Sequence, residues 1–245
     1  MRDLTMADRL RGAGLVVEEQ PGWQTRGSAL FAPRAVMWHH TASAMGKNLP
    51  SLNIVTNGRP DLAGPLCHVL VGRDNCSVVI AAGRANHAGS GSWSGSSVGN
   101  SAYWGVEVEN VGTQAEPWRP DQLQNVAEVT AALISYEPAL VAGCCMHKEW
   151  APSRKIDMHT ISGNEMRARV MQLCINTPTP QPTPVHTYQK DQPMFMISEG
   201  LGLFLLVNGK VCQFGTPQEF NKARESAPTI PTVVLPIPQA KALIG

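Results

Sequence analysis

The chain has 245 residues, of which 43% are apolar and 16% charged, with 20 Lys and Arg against 19 Asp and Glu and a net charge of +1. That length suits one domain of about 150 to 180 residues plus a smaller module, and the sparse charge excludes both a coiled coil and a highly charged disordered chain. The near-neutral balance gives no reason to expect nucleic acid or an acidic membrane surface as partner, and no run approaches the roughly 18 apolar residues of an inserted span.

The opening residues, Met1-Arg2-Asp3-Leu4-Thr5-Met6-Ala7-Asp8, carry acids where a signal peptide is apolar, which reads as a protein made in a cytoplasm. Short β-prone runs follow at Arg34 to Trp38, Leu66 to Val71, Cys76 to Ala82 and Trp104 to Asn110, and Arg73-Asp74-Asn75 reads as a hairpin turn between the second and third. From Asp121 to Glu137 the apolar or small residues Leu123, Val126, Ala127, Thr130, Leu133 and Ile134 keep helical spacing, and Pro138 is expected to end the run. Ser162 with Glu165 forms a capping box opening a helix with Met166, Val170 and Leu173 on one face. These elements predict an α/β domain over residues 1–176, with a small mixed central sheet flanked by helices. The six cysteines, Cys67, Cys76, Cys144, Cys145, Cys174 and Cys212, lack a C-x-x-C pair and read as small buried hydrophobes in a reducing compartment.

Composition shifts near residue 178: all six Trp lie before it, whereas four of the five Phe and ten of the nineteen Pro lie after residue 177. Residues 177–192 begin with alternating Pro and polar residues, which favours extended polyproline conformation and predicts a linker. In residues 193–245, Leu203 to Val207 and Lys210 to Phe214 flank Asn208-Gly209, a strong type I′ hairpin signal. A helix is expected from about Pro217 to Glu225, so this segment reads as a small C-terminal α+β module containing a β-hairpin.

Metal ligands and proton carriers concentrate in Trp38-His39-His40-Thr41-Ala42-Ser43 and in residues 147–157, His147 to Asp157. A His at a strand end, a distant second His and an Asp ten residues beyond it could supply three zinc ligands and leave a fourth position for water. Composition alone leaves open that the His pair is structural. Glu107 and Glu109 alternate with Val106 and Val108, which puts both carboxylates on one strand face; one could be a general base, and a solvated face is the alternative for Glu109. Cys144-Cys145-Met146-His147 raises a Cys/His peptidase as a rival, although no cysteine-peptidase signature surrounds it.

His39-His40-Thr41-Ala42, Gly105-Val106-Glu107-Val108-Glu109-Asn110, and His147 with Ala151-Pro152, Arg154-Lys155 and Asp157 closely resemble the zinc-dependent N-acetylmuramoyl-L-alanine amidases of the amidase-2 family, relatives of peptidoglycan-recognition proteins. Residues 83–89, Gly83 to Gly89, and residues 58–66, Gly58 to Leu66, look like the versions in endolysins of phages infecting actinobacteria. The resemblance spans about residues 30–173 and implies the amidase-2 fold, one zinc held by His39, His147 and Asp157, Glu107 as the proton carrier and Lys155 as the stabiliser of the oxyanion. It implies that His40, Asn86 and His87 line the substrate groove, with His87 equally readable as a hydrogen-bonded structural histidine. Lys155 otherwise reads as a surface lysine. One departure is Met158 after Asp157, where the family usually has Pro. The expected function is an endolysin that cleaves the amide between N-acetylmuramic acid and L-alanine in peptidoglycan, waiting in a host cytoplasm until the membrane is permeabilised. The C-terminal module is then expected to bind the cell wall. The rivals are a non-catalytic peptidoglycan-binding protein and a cytoplasmic muropeptide-recycling amidase; oligomeric partners are not legible.

Overall fold

Strands covered on both faces read as unbroken apolar runs. Ala35 to Trp38 is such a run, and the strand it opens, Ala35–His40, has all six residues buried, His39 and His40 included. The computed structural model describes residues 2–176, 194–198, 202–207, 210–227 and 232–234, which fall into two compact units, Met1–Pro180 and Gln181–Gly245.

The first unit runs α1 (Met6–Gly12), β1 (Val17–Glu19), β2 (Ala35–His40), α2 (Leu52–Asn57), β3 (Gly58–Arg59), β4 (Leu62–Ala63), β5 (Val69–Val71), β6 (Ser77–Val79), α3 (Gly99–Ala102), β7 (Tyr103–Val108), α4 (Pro120–Leu133), α5 (Pro138–Val141), β8 (Cys145–Met146), α6 (His147–Trp150) and α7 (Gly163–Asn176). Its six-stranded sheet has the order β1-β6-β5-β7-β2-β8. The four strands β5, β7, β2 and β8 are parallel, and β6 returns antiparallel to β5. The turn between β5 and β6 is the one expected at Arg73-Asp74-Asn75: Asn75 takes a φ of 67°, and Gly72 N–H donates to the Cys76 carbonyl at 2.8 Å. This is the mixed sheet of an α/β domain. The strands β5, β6 and β7 are shorter than the runs expected for them, β2 extends past Trp38 to His40, and the N-terminal α1 and β1 were not legible in the residue pattern.

One face of the sheet is closed by α4, which packs against α7 and α1. The six residues expected to keep helical spacing, five within α4 and Ile134 at its C-cap, are all buried, and Trp38 of β2 donates from Nε1 to Thr130 Oγ1 at 2.8 Å. Pro120 sits in the first turn of α4, where its missing N–H costs nothing and its φ is preset. The helix stops earlier than expected, because Ser135 and Tyr136 take left-handed φ values of 53° and 56°. Pro138 therefore does not end this helix; it opens α5, which suits its fixed φ equally well. In α7, Ser162 Oγ accepts from Glu165 N–H at 3.1 Å, while the Glu165 carboxylate turns to Arg169. Five cysteines are buried as expected, but Cys212 in the second unit is exposed, on the edge strand of that unit's four-stranded sheet.

The second unit contains β9 (Met194–Ser198), β10 (Gly202–Val207), β11 (Lys210–Phe214), α8 (Pro217–Ser226) and β12 (Thr232–Val234), with strand order β11-β10-β9-β12. The strands β10 and β11 pair antiparallel with Val207 opposite Lys210; the Asn208-Gly209 turn itself lies outside the described residues, as do residues 177–192 of the expected linker. A capping box opens α8, in which Thr216 Oγ1 accepts from Glu219 N–H at 3.3 Å and Glu219 Oε2 accepts from Thr216 N–H at 3.2 Å. Phe204 and Phe220 are buried within this unit.

Candidate metal centre

Neighbouring parallel strands β2 and β7 are in a register that sets His39 beside Glu107. Because side chains alternate along a strand and Trp38 points to α4, His39 projects from the opposite face. At the same end of the sheet β8 gives way directly to α6, whose first residue is His147. Crevices at the carboxyl ends of parallel strands are where open α/β sheets bind ligands. Asp157 reaches the crevice from the loop after α6. Lys148 holds that loop: its backbone N–H donates to the Asp157 carbonyl at 2.8 Å, and its Nζ donates to the carbonyls of Met158 and Ile161, each at 2.6 Å. The Asp157–Met158 peptide bond is cis.

Three ligand atoms converge there. His39 Nδ1 lies 2.9 Å from His147 Nδ1 and 3.2 Å from Asp157 Oδ2, and His147 Nδ1 lies 2.9 Å from Asp157 Oδ2. All three residues are buried, and among the described residues they form the cluster suited to a metal ion. Two imidazoles and one carboxylate are a donor set for zinc with one position left open, and the separations approach the roughly 3.3 Å between tetrahedral ligands about 2.0 Å from a common ion. Burial, with the neighbouring His147, pushes His39 down to about 4, so its ring is neutral near pH 7, the form a metal requires.

The groove over this centre has a volume of about 390 Å³. Glu107 lines it with one oxygen, Oε2, sealed from solvent and lacking a hydrogen-bond partner among the described residues. Burial, then the Asp157 carboxylate, raises the Glu107 pKa to about 8, against the opposing pull of the Lys155 ammonium. Lys155 is half-buried in the groove wall, and the exposed Ile54 and Ile156 flank it. A larger depression of about 660 Å³ lies at the opposite ends of β2 and β7, against Ala35 and Tyr103, but its polar lining is mainly serine, with Arg34. It offers no cluster of titratable groups, so the smaller groove is the candidate site.

Glu109 is not on a solvated face. It is fully buried beyond the end of β7, where its carboxylate accepts from Thr41 Oγ1 at 2.8 Å, from Ser51 N–H at 2.8 Å and from the Ser43 hydroxyl. The chain turns off the strand after Val108, which carries Glu109 into a nest of donors instead of toward solvent.

The remaining expected groove residues all line it, in different ways. His40 is buried at the strand end, its Nδ1 accepting from His159 N–H at 3.2 Å. Asn86 donates from Nδ2 to the Ala63 carbonyl at 3.0 Å and accepts from Arg84 at 3.0 Å, which ties the β3–β4 hairpin to the groove wall. His87 lies against the metal ligands, with Nδ1 3.1 Å from His39 Nε2 and Nε2 3.2 Å from the Tyr103 carbonyl. Burial and the neighbouring imidazole of His39 hold it well below the usual histidine range. Ala88 and Asn100 escaped the sequence reading. Ala88 contributes a backbone carbonyl 2.9 Å from His147 Nε2, and Asn100 accepts from the N–H groups of His87 and Ala88 at 3.0 and 2.8 Å. A main-chain acceptor leaves no mark on residue type.

A buried His-His-Asp ligand set at the carboxyl edge of a parallel sheet, with the Glu107 carboxyl in the same groove, is an arrangement that metal-dependent hydrolases use. Residues 30–160, more than half of the chain, match the family model of Amidase_2, N-acetylmuramoyl-L-alanine amidase. The chain belongs to that family. Among solved structures it is similar to a selenomethionine derivative of AmpD, with 24% identity over 64% of this chain and 94% of that one and a TM-score of 0.49. A mutant endolysin from Bacillus subtilis matches with 17% identity over 64% of this chain and 99% of that one, TM-score 0.47. The amidase AmiD from E. coli, in complex with anhydro-N-acetylmuramic acid-L-Ala-D-gamma-Glu-L-Lys, matches with 22% identity over 63% and 65% of the two chains, TM-score 0.43. A search of curated proteins found no significant match.

Proposed function

We propose that this amidase is a phage-type endolysin, cutting the bond between the lactyl group of N-acetylmuramic acid and L-alanine in the intact wall, with Glu107 as the proton carrier and Lys155 as the stabiliser of the oxyanion. The observation that carries the catalytic reading is the Glu107 carboxyl, which lines the groove shared with His39, His147 and Asp157 and whose buried Oε2 has no hydrogen-bond partner among the described residues. His39, His147 and Asp157 would hold a zinc ion, which would supply the Lewis acidity that acidifies water and polarises a carbonyl. Glu107 holds the proton taken from the attacking water and returns it to the leaving amine; its raised pKa suits both halves of that exchange near neutral pH. The backbone N–H of Lys155 donates to the Ala151 carbonyl at 2.9 Å, whereas its side chain lines the groove with no hydrogen-bond or ion-pair partner among the described residues, which leaves the ammonium free to meet the carbonyl oxygen as it gains charge. Catalysis is favoured over a purely binding role because the ligand set is complete and the Glu107 carboxyl has no structural partner.

The wall-acting reading, as against recycling of soluble muropeptides, rests on the second compact unit. That unit would bind the cell wall and hold the amidase at its substrate, with the Pro-rich residues 177–192 as the tether. Among the described residues no helix is long and apolar enough to cross a membrane. The test is to incubate the purified protein with cell walls and measure new amino-terminal L-alanine against new reducing sugar. New amino termini alone, lost on chelation and restored by zinc, are expected; new reducing ends, or cleavage of soluble muropeptides only, would refute the endolysin.

A further inference from the structure

The two metal-facing imidazoles present the same nitrogen, Nδ1, toward Asp157. For both to coordinate a cation, both must carry their proton on Nε2, and the proton positions follow from what lies behind them. A carbonyl oxygen can only accept. His147 Nε2, 2.9 Å from the Ala88 carbonyl, is therefore the protonated nitrogen, and Nδ1 keeps its lone pair. His87 Nε2 faces the Tyr103 carbonyl at 3.2 Å, so it too is the donor. A neutral His87 then has a bare Nδ1, and that atom, 3.1 Å from His39 Nε2, can only accept. The proton of His39 is thereby forced onto Nε2 and its Nδ1 turns bare toward Asp157.

One two-residue segment thus controls both ligands, His87 through its side chain and Ala88 through its carbonyl. The segment has its own anchor, since the Asn100 side-chain oxygen accepts from both of its N–H groups. Room for the His87 ring comes from Gly105 on β7, where a Cβ would stand 2.6 Å from His87 Cγ. We propose that His87 and Ala88, clamped by Asn100, are a positioning frame that locks His39 and His147 in the Nε2–H tautomer, so that three lone pairs meet at one point and zinc binds a preset site. Outer groups of this kind change metal affinity without touching the metal. This inference rests on the reading of His39, His147 and Asp157 as a zinc centre and gives His87 a role other than substrate contact.

The test uses the full chain. His87→Phe keeps the ring over Gly105 but removes the acceptor, and His87→Asn puts an oxygen where Nδ1 was. Competition with a chelator should show zinc held about 10- to 100-fold more weakly by His87→Phe, with most of the loss recovered in His87→Asn. Long-range ¹H–¹⁵N spectra of the zinc-free wild type should show His39 and His147 as Nε2–H tautomers, and the His39 pattern should scramble in His87→Phe. The wild-type spectrum decides the matter even if His87→Phe does not fold. A His39 found protonated on Nδ1, or a folded His87→Phe that binds zinc like the wild type, overturns the proposal. A wild type that takes up no zinc overturns the metal centre itself, a different failure.

Discussion

Glu107 and Glu109 are two residues apart and stand in opposite chemical settings. Glu109 is saturated by Thr41, Ser43 and Ser51, whereas Glu107 keeps an unpartnered oxygen at the groove. Glu107→Gln should therefore retain zinc and lose roughly 10²-fold or more in rate, the usual effect of removing a positioned proton carrier. Glu109→Gln should act on stability instead, costing about 1 to 3 kcal/mol because an amide nitrogen meets donors that need an acceptor; metal content, turnover and denaturant melts on both variants check the pair. A reversal, with Glu109→Gln folded normally but inactive, would exchange the assignments. The Glu107 pKa adds a pH signature. Its folded value, about 8, exceeds its ordinary value of 4.5, so between those pH values the unfolded chain has released a proton the folded chain still holds. Zinc-free wild type should lose stability relative to Glu107→Gln as pH rises through that window, which thermal melts in chelator at several pH values would show; parallel curves would count against the buried, neutral carboxyl.

Among the elements, α6 and the loop bearing Asp157 must keep a fixed distance, since one carries His147 and the other its partner ligand. Lys148 Nζ spans that gap to the Met158 and Ile161 carbonyls. Lys148→Met keeps the bulk and strands two carbonyl acceptors, so it should destabilise the chain by about 1 to 3 kcal/mol and weaken zinc uptake; a variant as stable and as metal-tight as the wild type would show the strap to be idle. The β7 residues Gly105 and Glu107 share the face of His39. That is why the Gly-Val-Glu spacing matters: the glycine admits the His87 ring, and the glutamate two residues on reaches the groove.

For the whole molecule, each of the two compact units has its own buried residues, Trp38 and Val106 in the first, Phe204 and Phe220 in the second. A chain ending at Asn176 should fold and cleave a small soluble muramyl peptide at a nearly unchanged rate. On intact walls it should be slower, because a tethered wall-binding unit raises the effective concentration of enzyme at its substrate, by 10² or more in favourable cases. An insoluble truncate, or equal losses on both substrates, would contradict tethering and point to a second unit that completes the amidase.

By itself the sequence determined what is local or carried by residue type. The helical spacing of Leu123 to Ile134, the turn at Arg73-Asp74-Asn75 and the His39, Glu107 and His147 to Asp157 motifs were legible because periodicity and side-chain chemistry are written residue by residue. The end of α4 at Leu133 was not, since the left-handed Ser135 and Tyr136 belong to no residue preference. Nor could the pattern separate Glu107 from Glu109, because strand alternation gives them the same face and only the chain's departure after Val108 sends one to the groove and the other to buried hydroxyls. The tertiary structure alone decided which nitrogen each imidazole shows the metal, because that choice rests on an alanine carbonyl 59 residues from His147 and on a histidine 48 residues from His39, and contacts at such separations exist only once the sheet has assembled.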